Sequence, residues 1–160
     1  MKNSHATVSS RNEYKRIAYY IIPVIVLIVL SFNNFLLFHT LIELFSIIVG
    51  YIIFVIALYS YKRSQNNFLI LLGIAYGFIG GLDLIHTLSY KGMGIFVNGG
   101  ADLPTKLWII ARYLESISIT VSLWIIGSNN RKYNIKKVFY LFFVIFTALL
   151  LSLYFDIFPS

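Results

Sequence analysis

The feature that most constrains this chain is one apolar stretch, Ile17 to Tyr61, that is too long to be a single helix. Crossing ~30 Å of hydrocarbon takes roughly 20 helical residues. The stretch therefore holds two helices, and the break falls at Ser31-Phe32-Asn33-Asn34, the polar cluster inside it. Ser and Asn are N-cap residues, because their side chains accept a hydrogen bond from the first turn's free N–H groups. The first helix is expected at about 15–31 and the second at about 34–61.

The rest of the chain repeats the pattern. Lys62-Arg63-Ser64-Gln65-Asn66-Asn67 reads as a short turn before a third helix at about 68–89. A glycine-rich loop follows at 91–104, and Pro104-Thr105 signals a fourth helix at about 105–126. GSNNRKYN is the next turn, before a fifth helix at about 135–156. The fold expected is all-α: an integral membrane bundle of about five transmembrane helices with short turns and one longer outer loop. Residues 1–14 are polar and Ser-rich and are expected to form a disordered cytoplasmic arm, with the transmembrane domain at 15–157. The first apolar run lacks a small-residue cleavage site and reads as a retained anchor.

Composition agrees. The chain is 59% hydrophobic and 12% charged, against about 45–50% and about 25% in soluble domains. The net charge of +7 does not point to nucleic acid, because the basic residues sit at the ends of apolar runs. There are no cysteines, which removes thiolate metal sites and thiol nucleophiles.

Basic residues also set an orientation. Lys2, Arg11, Lys15, Arg16, Lys62, Arg63, Arg131, Lys132, Lys136 and Lys137 fall on one side of the five spans, and Lys91 and Lys106 on the other. Flanking Lys and Arg stay in the cytoplasm. A cell-membrane protein with a cytoplasmic N-terminus and an outside C-terminus is expected. With no cytoplasmic domain after the last helix, the chain is also expected to be incomplete at its C-terminus.

Ionisable residues inside spans cost ~2.5–3.5 kcal/mol each at mid-helix and mark candidate sites. Helix two carries His39 and Glu43, one turn apart. Helix three carries Asp83 and His86; helix four carries Arg112 and Glu115, with Ser118 and Ser122 continuing the stripe. Under the expected topology all of them lie in the outer half, Arg112 roughly 10 Å below its helix start. Gly73, Gly77 and Gly81 form a small-residue stripe that admits another helix closely, on a different face from Asp83.

Two functional readings fit these residues. The six can bind a small ligand or ion and pass the event on as a helix shift. Alternatively His39, Glu43, Asp83, His86 and Glu115 ligate a metal, the first four being the leading candidates, or facing His hold haem, in a membrane enzyme or electron carrier. A purely structural salt-bridge network, with Arg112 pairing to Glu115 or Asp83, competes with both.

The stretches FHTLIELFSI (38–47), GLDLIHTLSYKGM (81–93) and LPTKLWIIARYLES (103–116) resemble the third type of membrane-associated sensor domain, of the MASE group of bacterial and archaeal signalling proteins. The likeness runs from about residue 20 to 126. It implies a non-enzymatic input module placed ahead of histidine kinases or of enzymes that make and degrade cyclic di-GMP. His39, Glu43, Asp83, His86, Arg112 and Glu115 become motif positions, with no established ligand attached. The partners expected are the lipid bilayer, an unknown small ligand or ion, a cytoplasmic effector outside this chain, and further copies of the chain as a homo-oligomer.

Overall fold

A computed structural model describes residues 3–96, 102–127, 134–155 and 157. The described residues form five helices and no strand: α1 (Asn3–Asn33), α2 (Phe35–Ser64), α3 (Asn67–Ser89), α4 (Leu103–Gly127) and α5 (Ile135–Tyr154). Each contains a segment long and apolar enough to cross a membrane. The protein is thus an all-α, multi-pass membrane protein. Residues 97–101 of the expected outer loop and 128–133 of the expected fourth turn lie outside the described residues.

Helix ends follow local chemistry. Asn34 alone separates α1 from α2; its Oδ1 accepts from the Leu37 N–H at 3.0 Å, as an N-cap does. Behind it, Ser31 and Asn33 donate to the carbonyls of Ile28 and Val29, finishing α1. The α2–α3 turn is two residues long. Gln65 takes a left-handed conformation (φ 49°) and its N–H closes on Tyr61 O at 2.9 Å. Asn66 then caps α3 by accepting from the Leu69 N–H. Asn134 caps α5 in the same way, accepting from Lys136.

One boundary differs from expectation. α1 begins at Asn3 rather than near residue 15, so the arm expected to be disordered is helical from Asn3. No Gly or Pro occurs between Asn3 and Arg16. A helix nucleated in the apolar segment meets nothing there that breaks it, since extension costs far less than nucleation.

The chain divides into two compact units, Met1–Ile42 and Glu43–Ser160. In the first unit the apolar window of the span Lys15–Asn33 contains no buried residue. In the second, α3 is the central helix. Ile70, Ile74 and Leu82 of α3 and Leu107 of α4 are fully buried, and Ile110, Ala111 and Leu114 extend this core along α4. α5 packs on α3 through Phe78, whose ring lies 5.3–6.2 Å from those of Phe139, Phe142 and Phe146.

The glycines of α3 lie close to residues of other helices. A methyl group at Gly73 would collide with the Ala57 side chain of α2, and one at Gly77 would press on the Phe54 ring at 3.0 Å. Gly80 joins them against Tyr51 and Ile47, whereas Gly81 turns toward Phe146 of α5. Asp83 and His86 bond α4 from the buried side of α3.

Candidate functional site

Asp83 lies four residues after Ile79 and one turn before Thr87 on the buried side of α3, and it is only 3% exposed. Its Oδ2 accepts from Arg112 Nη2 of α4 at 2.6 Å. Arg112 Nη1 donates to Glu115 Oε2 at 2.7 Å, one turn further along α4. The other carboxylate oxygen of Glu115 accepts from the Tyr76 hydroxyl at 2.9 Å. One guanidinium thus bridges a carboxylate of α3 and one of α4, and Tyr76 returns the chain of contacts to α3. Glu43 of α2 acts electrostatically on both Asp83 and Arg112.

Charge-assisted bonds of this length are the strong ones, and the low dielectric around them strengthens them further. The network still carries unmet groups. Asp83 Oδ1 and Arg112 Nε are buried and have no hydrogen-bond partner among the described residues. Formally one cation faces Asp83, Glu115 and Glu43, leaving the cluster short of positive charge.

His86 holds a different contact. Its Nδ1 lies 2.7 Å from the Pro104 carbonyl, and both residues are buried. A carbonyl only accepts, so Nδ1 carries the proton and donates. This bond ties the last turn of α3 to the first turn of α4. Ser89 Oγ, donating to His86 O at 2.9 Å, steadies the same turn.

The six predicted residues are therefore distributed as follows. Asp83, Arg112 and Glu115 form one ionic network, with Glu43 within electrostatic reach. His86 stands on the Asp83 side of α3 but points its Nδ1 at the α4 backbone. His39 belongs to the first unit, where its ring stacks on Phe35 with centroids 6.0 Å apart and planes 9° from parallel. Ser118 and Ser122, expected to extend the polar stripe, instead donate to the carbonyls one turn earlier, Leu114 and Ser118, at 2.6 Å each. Short hydroxyls in apolar helices satisfy themselves this way when no polar partner is nearer.

Tyr76 is the residue that sequence reasoning missed. It stands two turns before Asp83 on the same side of α3, and that spacing is the signal that could have found it.

The donor atoms bear on metal chemistry. Both oxygens of Glu115 and one of Asp83 are committed to Arg112 or Tyr76, and a guanidinium sits between them. A cation at those two carboxylates would have to displace Arg112. Within the second unit this leaves the Glu43 carboxylate and Asp83 Oδ1 of the expected metal set.

A shallow hollow of about 290 Å³ lies on the exposed side of α4, lined by Trp108, Ile109, Arg112, Tyr113 and Ser116. A larger one, about 730 Å³, sits at the end of α2 among Val55, Leu58, Tyr59, Lys62 and Arg63. The second combines an apolar trough with two cations at its rim, as expected where a helix leaves the hydrocarbon.

Comparison with known proteins gives one match. The MASE3 family model, described as a membrane-associated sensor domain, matches residues 30–160. No curated protein and no solved structure matches the chain.

Proposed function

The chain belongs to the MASE3 family of membrane-associated sensor domains, and from that premise we propose that its signal is received at the Asp83–Arg112–Glu115–Tyr76 network. The observation that carries this reading is the position of Arg112 between carboxylates of two helices. α3 and α4 already share a core of Ile74, Leu82, Leu107, Ile110 and Ala111 that would hold them together without charges. Each charge placed in a span is costly. A network that adds that cost to an already packed pair, and leaves Asp83 Oδ1 and Arg112 Nε unmet, is suited to respond to something rather than only to hold.

The response is a change in how α3 and α4 sit against each other. A ligand, proton or ion that alters the charge or hydrogen bonding at Arg112 loosens or tightens one of its two bridges. Helix shifts of ~1–2 Å are enough to carry such an event across a membrane. His86–Pro104 acts as the fixed end of this pair, so the opposite ends of α3 and α4 move most.

Direction follows from charge. Ten Lys and Arg on one side of the spans against two on the other support a cytoplasmic N-terminus, with the α3–α4 loop outside. The network then lies in the outer half, with Glu43 and His86 contributing to its surroundings. The output partner is a cytoplasmic effector, a histidine kinase or a cyclic di-GMP enzyme. The chain itself binds and transmits without catalysing a reaction.

A reporter tests this. A diguanylate cyclase joined ahead of Met1 places its active site in the cytoplasm under the proposed topology. Asp83→Asn and Arg112→Gln should each change cellular cyclic di-GMP at equal protein level. Ser122→Ala, buried on α4 but bonded only within its own helix, should not. Identical output from all three would contradict the proposal.

A further inference from the structure

The α4 hollow offers a route into the network that the loop side does not. Its lining residues Trp108, Ile109, Arg112, Tyr113 and Ser116 occupy one side of α4, and Trp108 and Tyr113 are 46% and 67% exposed. At 1.5 Å per residue, Arg112 lies about 13 Å along α4 from Leu103, well inside a ~30 Å hydrocarbon layer. The Arg112 side chain is 36% exposed there. An arginine side chain at this depth that is not fully enclosed by protein faces hydrocarbon, not water.

What fits such a site follows from hydrogen bonds and charge. Arg112 has five N–H donors. Its ion pairs engage Nη1 once and Nη2 once, leaving each a second N–H, whereas Nε is buried. Unmet donors in hydrocarbon cost several kcal/mol each, so an acceptor is favoured. An anionic acceptor is not. Asp83, Glu115 and Glu43 already outnumber the single cation and would repel it. A water-soluble cation meets the guanidinium first. The remaining class is a neutral acceptor on an apolar body.

We infer that the α4 hollow binds the carbonyl of a neutral, lipid-soluble molecule, which enters sideways from the bilayer and accepts a hydrogen bond from an Arg112 N–H. Trp108 and Tyr113 line the hollow together with Arg112 and give it its aromatic surface. The volume of about 290 Å³ suits one ring or one short carbonyl-bearing segment rather than a whole lipid. Two sources supply this chemistry: the ester carbonyls of the bilayer lipids, or a separate ring carbonyl such as a quinone. The inference rests on the proposed role of Arg112 and names the class of its ligand.

Trp108 is a built-in reporter, since the chain has two tryptophans and Trp124 lies sixteen residues further along α4. The full chain carrying Trp124→Phe is placed in nanodiscs and titrated with a short-chain alkyl benzoquinone, which quenches tryptophan. Quenching should saturate. Ser116→Leu, at an exposed position whose hydroxyl bonds only its own helix, should fill the hollow and raise the half-saturation at least tenfold. Trp108→Phe, reporting from Trp124, should show only the linear quenching of a quinone dissolved in lipid. The titration is run in ester-linked and in ether-linked lipids. Saturation in both assigns a separate ring carbonyl; saturation in ether lipids alone shows that bilayer ester carbonyls otherwise occupy the site. Linear quenching of equal slope in every variant and both lipids overturns the inference. If that happens while Arg112→Gln still changes reporter output, the ligand class falls and the signalling role of the network stands. Saturable quenching with unchanged output would leave the binding site and remove the signalling role.

Discussion

Replacing Arg112 by Gln removes the only group that faces both Asp83 and Glu115 in the described network. Asp83 is 5% exposed in its side chain and already lacks a partner at Oδ1. Without Arg112 it loses the partner at Oδ2 as well. Removing one member of a buried ion pair costs about 3–5 kcal/mol, because the other charge is left uncompensated. The Arg112 side chain is 36% exposed, which places the expected loss at the lower end, about 3 kcal/mol. Asp83→Asn leaves Arg112 bonded to Glu115 and should cost less, about 2 kcal/mol for one charge-assisted bond. In the double variant no buried carboxylate is stranded at position 83, so its loss should fall short of the sum by about 2 kcal/mol. Hydrogen bonds between membrane helices average only ~0.6 kcal/mol in such cycles. Reversible unfolding of the four proteins in mixed detergent micelles, followed by circular dichroism, gives the coupling. A value at or below ~0.6 kcal/mol would mean that the pair is no stronger than an ordinary contact, and the reasoning from burial and charge would be wrong.

Other outcomes follow from the same geometry. Tyr76→Phe should cost about 1 kcal/mol in that unfolding assay, the worth of one hydrogen bond to Glu115, and leave the Arg112 bridges in place. Gln65→Gly should stabilise by about 0.5–1 kcal/mol, since a left-handed residue with a side chain is replaced by one that adopts φ 49° without penalty. Gly73→Leu should prevent α2 from packing on α3 and lower the unfolding midpoint sharply, because even a methyl there collides with Ala57. Cysteines placed singly in this cysteine-free chain should react with an impermeant reagent in whole cells at Asn98→Cys and not at Ser64→Cys; the reverse pattern would invert the topology.

Helix number and most helix ends were legible because apolar length and Asn or Ser caps are local signals. Asn34, Asn66 and Asn134 all act as caps where polar interruptions predicted a new helix. The N-terminal extension of α1 to Asn3 was not legible, because polarity marks where lipid ends and not where a helix must. In the network, the i, i+3 spacing of Arg112 and Glu115 foretold their bond. The reach of Arg112 to Asp83 was an open choice until α3 and α4 were placed together. Nothing in spacing could reveal that His86 bonds a backbone carbonyl, since every residue carries one. Ser118 and Ser122 share the polar identity of the stripe but spend their hydroxyls inside α4.

If Arg112 sets the arrangement of α3 against α4, one distance reports it most directly. Spin labels at Gln65→Cys, beside the start of α3, and at the exposed Leu123→Cys near the end of α4 report the separation of the ends opposite the His86–Pro104 tie. Pulsed electron–electron spectroscopy of the full chain in nanodiscs should show that distance shifting by ~1–2 Å or broadening between wild-type and Arg112→Gln backgrounds. An unchanged distribution, with the variant folded and inserted, would show that the network holds the helices together without controlling how they sit.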